Sequence, residues 1–360
     1  MNSFISYSKK VPAFTITVLL IVIIEVALYF IPNLHYLEGG GSFFTYYKKQ
    51  IAEDKKQSFD ILLLGDSRSL SIHGVKEKEG EFTMYNFSLP AAGPRYFKFF
   101  LKKYLENHSN PKLVIWAADP EQFNHTKSKT FDTDKNLWNQ YKHRLLNLFT
   151  FPESFEQYKG GELLFIAKEY LPLMMYSFKY RQGFGDLLNG LKMETFTNRE
   201  TYHTKQNHMI ETITSNHNGQ INLGDYFIAD ENEVAKSYVK YIEGLDKVKD
   251  FDIEPLVDFL EYCKEKQIKV LVLNIPRVDG LNQTKFFQSV VPAIREKTAK
   301  FPNAKYLEFP KMDYPLSLFS ESIHYNSAGD KQLNTDFKTY VYPEIISYIK
   351  NSDKKDKDEK

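Results

Sequence analysis

Two short stretches of this sequence carry the residue types of nucleophilic acyl transfer. Ser67 stands in Gly65-Asp66-Ser67-Arg68-Ser69, directly after the apolar run Ile61-Leu62-Leu63-Leu64. Such a run, bounded by glycine, reads as a strand buried on both faces of a parallel sheet. Ser67 then falls at a strand's carboxyl end, leading into a helix whose free N–H groups favour an anion. Asp66 or Ser67 also reads simply as the cap of that helix. Far along the chain comes Glu321-Ser322-Ile323-His324-Tyr325-Asn326-Ser327-Ala328-Gly329. A serine hydroxyl is a weak nucleophile near neutral pH until an imidazole takes its proton, and the imidazole needs a carboxylate to fix its tautomer. Glu321 and His324, three apart on one short turn, supply that pair. A lone loop histidine is ordinarily a solvated side chain; coincidence with Ser67 sets this one apart.

The elements that must position these residues alternate. Met84–Leu89 and Lys112–Ala117 read as further strands, with helical spacing between them over Arg95–Glu106. After a long gap come a helix over Ile253–Lys266, a strand over Val270–Ile275, a helix over Phe286–Lys300 and a short strand over Tyr306–Phe309. A final helical segment, Ser327–Lys350, is bent or divided by Pro343. Strands alternating with helices imply βαβ units and a parallel sheet with helices on its faces. Over residues 131–233 the alternation stops, leaving a mostly helical insertion with spacing around Leu137–Phe149 and Leu163–Phe178.

The amino-terminal run Val11–Pro32 is apolar and about as long as the ~20 residues that cross a bilayer. No small-x-small cleavage site follows, which favours an uncleaved signal anchor. Lys9 and Lys10 precede the run, so the positive-inside rule puts residues 1–10 in the cytoplasm and the main domain outside it, in the periplasm or at the cell surface. Glu25 is the one carboxylate within the run and lies within snorkelling reach of the interface. The expected organisation is therefore amino terminus 1–10, anchor 11–32, tether 33–58, first domain half 59–130, insertion 131–233, second half 234–350 and a disordered charged tail 351–360.

Composition narrows the function classes. With 47 basic and 46 acidic side chains the net charge is +1, which gives no bias toward nucleic acid. The single cysteine, Cys263, excludes an internal disulfide and any cysteine-pair metal motif. Gly183-Phe184-Gly185 lacks a third glycine and a preceding strand, so dinucleotide binding is unsupported. Asp132–Asn136 starts like a calcium loop, but Leu137 and His143 stand where glycine and glutamate belong. His203, His208 and His217 have no consistent ligand spacing, and no metal or cofactor is expected. A Gly-x-Ser-x-Gly elbow is also missing, which argues against an ordinary α/β-hydrolase.

The Gly-Asp-Ser at a first strand's end, with acid-x-x-His-x-Asn-x-x-Gly near the carboxyl terminus, resembles the SGNH (GDSL) hydrolase superfamily. More narrowly it is similar to the membrane-anchored SGNH-like proteins that accompany membrane-bound O-acyltransferases. The resemblance covers Asp60–Gln122 and Leu256–Tyr348. It implies a three-layer α/β/α, flavodoxin-like parallel sheet. It also implies Ser67 as nucleophile, His324 as general base and Glu321 as orienting acid, with Gly93 joining the Ser67 N–H as an oxyanion donor. Asp66, Arg68 and Asp119, at the same strand ends, would face the substrate, a glycan or lipid-linked polymer. A polytopic O-acyltransferase is the implied partner. One departure stands out: the family's Gly-x-Asn-Asp block is here Trp116-Ala117-Ala118-Asp119, and loss of an oxyanion donor typically costs ~10²–10³ in turnover. Asn86, Asn274 and Arg68 are the residues that could replace it. A protein that only assists an acyltransferase, without catalysis, is the other reading.

Overall fold

The computed structural model describes residues 2–30, 41–90, 96–124, 175–179, 217–222, 231–248 and 250–358. Seven strands occur among them: β1 (Ile61–Gly65), β2 (Met84–Asn86), β3 (Leu113–Ala117), β4 (Val270–Asn274), β5 (Arg277–Val278), β6 (Ala304–Glu308) and β7 (Asp313–Tyr314). Five form one sheet in the order β2-β1-β3-β4-β6, with every neighbouring pair parallel, and β5 and β7 pair separately. The continuous apolar runs explain the centre of this sheet. β1, β3 and β4 are buried residue for residue, whereas the edge strand β6, which carries Lys305 and Glu308, is only half-buried.

β1 lies between β2 and β3, so the chain winds first to one side of β1 and then to the other. In an open parallel sheet the crevice at that reversal, outside the carboxyl ends of the strands, is where ligands bind. Ser67 follows β1 there and Asp119 follows β3. The two ends approach closely: a Cβ on Gly65 would lie 2.7 Å from the Ala117 carbonyl oxygen and 1.9 Å from Ser69 Oγ, so only glycine fits.

The helices are α1 (Asn2–Tyr29), α2 (Gly41–Glu53), α3 (Tyr96–Leu105), α4 (Tyr176–Lys179), α5 (Glu231–Leu245), α6 (Glu254–Glu265), α7 (Lys285–Ala299), α8 (Ser327–Asp336) and α9 (Tyr342–Asp358). Strands and helices fall close to the positions their patterns predict, and the mixed α/β class with a parallel sheet is as expected. Between α8 and α9 a wide π turn, Phe337–Val341, sits just ahead of Pro343, which has no N–H for the preceding turn and crowds it. α9 runs to Asp358, through most of the tail expected to be disordered. The insertion's helical spacings at Leu137–Phe149 and over most of Leu163–Phe178 lie outside the described residues, as do Asp132–Asn136, His203 and His208.

Two expectations are overturned. The segment 33–58 is not a tether throughout, because α2 packs its Tyr47, Ile51 and Ala52 into the core beside α3. Lys48, between them, is fully buried and donates from Nζ to the carbonyls of Asn86 (2.7 Å), Ser88 (2.8 Å) and Gly219 (2.7 Å). Burial pushes its ammonium pKa well below the usual lysine value. The helix expected after β1 is also only one 3-10 turn, Ser69–Ser71. The Asn86 amide takes the carbonyls of Ser69 (2.8 Å) and Ile72 (2.7 Å), and the His73 N–H goes to Asn334 Oδ1 (2.7 Å), so the next helical bond has no donor.

The side chains of α1 are described from Ala13, and nearly all are exposed, Phe14 at 71% and Ile23 at 54% among them. Among the described residues no helix is long and apolar enough to cross a membrane.

Lys48→Met should leave three buried carbonyls without a donor and lower stability by about 2–4 kcal/mol, read as a shifted urea midpoint. A residue in a solvated tether would change it by no more than about 0.5 kcal/mol.

Candidate active site

The turn after β1 is held by its acids and not by its serine. Asp66 Oδ1 accepts the Arg68 N–H at 3.0 Å, Oδ2 accepts the Asp119 N–H at 2.7 Å, and the Asp66 carbonyl accepts the Leu70 N–H at 3.1 Å. The Asp66 side chain thus closes the turn that leads into the 3-10 helix, and Ser67 takes no part in it. Ser67 is half-buried between fully buried neighbours, and no hydrogen bond to a described residue engages its hydroxyl or its N–H.

The second element is a tight loop. Phe319 and Tyr325 bridge antiparallel, and the Ser320 N–H donates to the His324 carbonyl at 2.9 Å. Within it Glu321 Oε1 lies 2.5 Å from His324 Nδ1 and also accepts the His324 N–H at 2.9 Å. The carboxylate therefore fixes both the ring and its backbone. Burial pushes the Glu321 carboxyl up, but the His324 hydrogen bonds and charge outweigh it and bring the group below its ordinary value. Both ring nitrogens of His324 are shielded from solvent, so Nε2 faces into the protein. The rest of the motif serves local folding. Asn326 caps α8 by accepting the Ala328 and Gly329 N–H groups, each at 3.0 Å, and a Cβ on Gly329 would lie 2.0 Å from the Leu318 carbonyl oxygen.

What brings the two loops to one edge is a buried charge cluster. Arg68 Nη1 is 2.5 Å from Asp119 Oδ2, and Arg277 Nη2, from the loop after β4, approaches the same oxygen at 3.5 Å. Arg68 Nη2 donates to Tyr241 Oη on α5 at 3.2 Å, and that hydroxyl donates to Glu121. Tyr325, next to His324, is buried against this cluster and donates its hydroxyl to the Pro276 carbonyl. The Glu321 carboxylate lies within the field of Arg68. Arg68, next to Ser67, and Tyr325, next to His324, therefore border one charge cluster at the carboxyl ends of β1 and β3.

Asp66, Arg68 and Asp119 were expected to face substrate. All three are at most 2% exposed and turn their polar atoms to one another, because charges taken from water need partners. They support the turn from beneath. Asn86 and Asn274 are also engaged: Asn86 holds the 69–72 backbone, while Asn274 Oδ1 accepts from Arg277 at 2.6 Å and its amide donates to Glu308 at 3.1 Å. Gly93 lies outside the described residues. Among the described residues no group of three His, Cys, Asp or Glu has the arrangement of a metal site. Sequence reasoning missed Lys48, Tyr241 and Arg277; only Arg277, just past a buried strand, carried a signal.

A cavity of about 450 Å³ opens beside the dyad, on the Glu321 side. Glu121, Asn124, Ser237, Lys240, Glu321 and Ser322 line it together with the apolar Leu245 and Ile323, so its walls are mixed. Burial holds the Glu121 carboxyl above its ordinary value. Ser67 and His324 are not among its walls; the cavity adjoins the site without containing its reacting atoms.

Asp119→Ala should strand both Arg68 and Arg277 in the interior and cost about 3–5 kcal/mol in a denaturant titration. Burial and then the Asp119 charge push the Asp66 carboxyl up to about 6. A raised carboxyl contributes stability below its unfolded pKa of ~3.9 and loses it as pH rises through the folded value. The stability difference between the wild type and Asp66→Asn should therefore fall between about pH 4 and pH 6 and flatten above, measured by urea melts across that range.

A family of proteins of unknown function, DUF1574, matches residues 42–329. No curated protein matches the sequence. The match begins at the start of α2 and ends in the first turn of α8, so it takes in Lys48, the β1 turn, the charge cluster and the Glu321–His324 loop, and covers well over half of the chain. The chain belongs to the DUF1574 family.

Proposed function

We propose that this protein is a membrane-anchored, extracytoplasmic serine esterase or O-acyltransferase with an SGNH-type, flavodoxin-like α/β/α domain. It acts on a cell-envelope glycan or lipid-linked polymer through an acyl-Ser67. The observation that carries this reading is the Glu321–His324 pair, 2.5 Å apart at the sheet edge that also bears Ser67. As Ser67 Oγ attacks the acyl carbonyl, its proton passes to His324 Nε2, and Glu321 stabilises the resulting imidazolium. The Ser67 N–H, unengaged by any described residue, donates to the oxyanion. Collapse of the tetrahedral intermediate returns the proton to the leaving alcohol. Water or a sugar hydroxyl then takes the acyl group by the same steps in reverse, and the cavity beside Glu321, with its Ser237, Lys240 and Ser322 side chains, is the natural seat for that acceptor. The exposed apolar side chains of α1 support the anchor: a helix apolar all round belongs in a core or a bilayer. The run Val11–Pro32 also extends past the described side chains at both ends.

One observation favours the second reading, a non-catalytic partner of a polytopic O-acyltransferase. Ala117-Ala118-Asp119 supplies no asparagine donor, and the amides of Asn86 and Asn274 are committed elsewhere.

A fluorophosphonate should label the full-length protein at Ser67. Labelling should vanish in Ser67→Ala and fall by about 10³-fold or more in His324→Ala, with circular dichroism unchanged. A folded wild type that is inert to the probe overturns catalysis, and wild-type polymer acylation in cells carrying Ser67→Ala would then support the partner role.

A further inference from the structure

Glu25 is half-buried on a helix whose other described side chains are, with the exception of Leu28, exposed. Its carboxylate is met by a segment of the insertion. Oε2 accepts the Tyr176 N–H at 2.6 Å, Oε1 accepts the Ser177 N–H at 3.0 Å, and the Ser177 hydroxyl also donates to Oε1. The Tyr29 and Tyr176 rings meet edge to face at 5.9 Å. Both backbone N–H groups belong to the first residues of α4, which have no acceptor within their own turn.

Backbone that donates to Glu25 must lie at the depth of Glu25. At ~1.5 Å per residue that is ~8 Å below Phe30 along α1. α4 also presents apolar side chains outward: Met175 is 40% and Phe178 38% exposed, and the sequence leading into it is Leu171-Pro172-Leu173-Met174. From these contacts we infer that the insertion dips into the outer leaflet at α4, docked on α1 through Glu25, with Met175 and Phe178 against lipid acyl chains. Lipid is the occupant because the apolar surface of α4 is continuous with that of α1. The inference rests on the anchor reading of α1 and is independent of the chemistry at Ser67. It gives Glu25 a structural reason: an intramembrane carboxylate is costly unless it finds donors, and here the insertion brings them. It also pins a point near the middle of the insertion, whose carboxyl end runs into α5, a wall of the cavity beside Glu321.

The test uses full-length protein in phosphatidylcholine–phosphatidylglycerol vesicles, with the buried Cys263 replaced by alanine. An environment-sensitive nitrobenzoxadiazole label is placed at Met175→Cys, Phe178→Cys or, as a control on the exposed face of α8, Lys331→Cys. Labels at 175 and 178 should be blue-shifted and quenched several-fold more by acyl-chain-brominated lipid than the label at 331. In Glu25→Ala that quenching should fall to the control level, and Glu25→Gln, which keeps an acceptor oxygen, should restore part of it. Alkaline carbonate extraction separates the two ideas. Protein that is washed off overturns the anchor and this inference together. Protein that stays bound with 175 and 178 as water-exposed as 331, or quenched equally with and without Glu25, overturns this inference alone.

Discussion

The buried ion pair between Arg68 and Asp119 is the constraint on which the site depends. It joins the residue just past β1 to the residue just past β3, across the point where the winding of the sheet reverses, and Arg277 brings in the end of β4. Charges removed from water are tolerated only when each finds partners, so the cluster leaves the three strand ends little freedom of position. Asp66 completes it by accepting the Asp119 N–H, which is also what makes the β1 turn tight enough to need Gly65. The turn is shaped from below, and Ser67 is its one member left facing outward.

The same cluster decides what the residues after β3 do. Ala118 offers no polar side-chain atom, and Asp119 is committed to Arg68. Asp119 also places a negative charge beneath the β1 turn, which adds to burial in raising the Asp66 carboxyl.

Much of this was legible in the residues. Apolar runs as short as Ile61–Leu64 gave their strands because nothing but a doubly covered parallel sheet buries four such side chains in a row. The Glu321-x-x-His324 spacing gave the dyad because three residues span one turn. Long-range polar pairing was not legible. Lys48 looks solvated in Lys48-Lys49, and only the fold supplies the three carbonyls that its ammonium caps. The 3-10 turn after Ser67 was hidden for the same reason, since the Asn86 amide and the Asn334 side chain that shape it come from elsewhere in the chain.

The docking of α2 into the core has a consequence for reach. With α2 part of the domain, only residues 31–40 separate it from α1, and ten residues extend no more than about 35 Å. If α1 is the membrane anchor proposed above, a domain on so short a leash sweeps a shallow shell above the bilayer, within reach of polymer units still attached to lipid carriers and short of chains far out in the envelope.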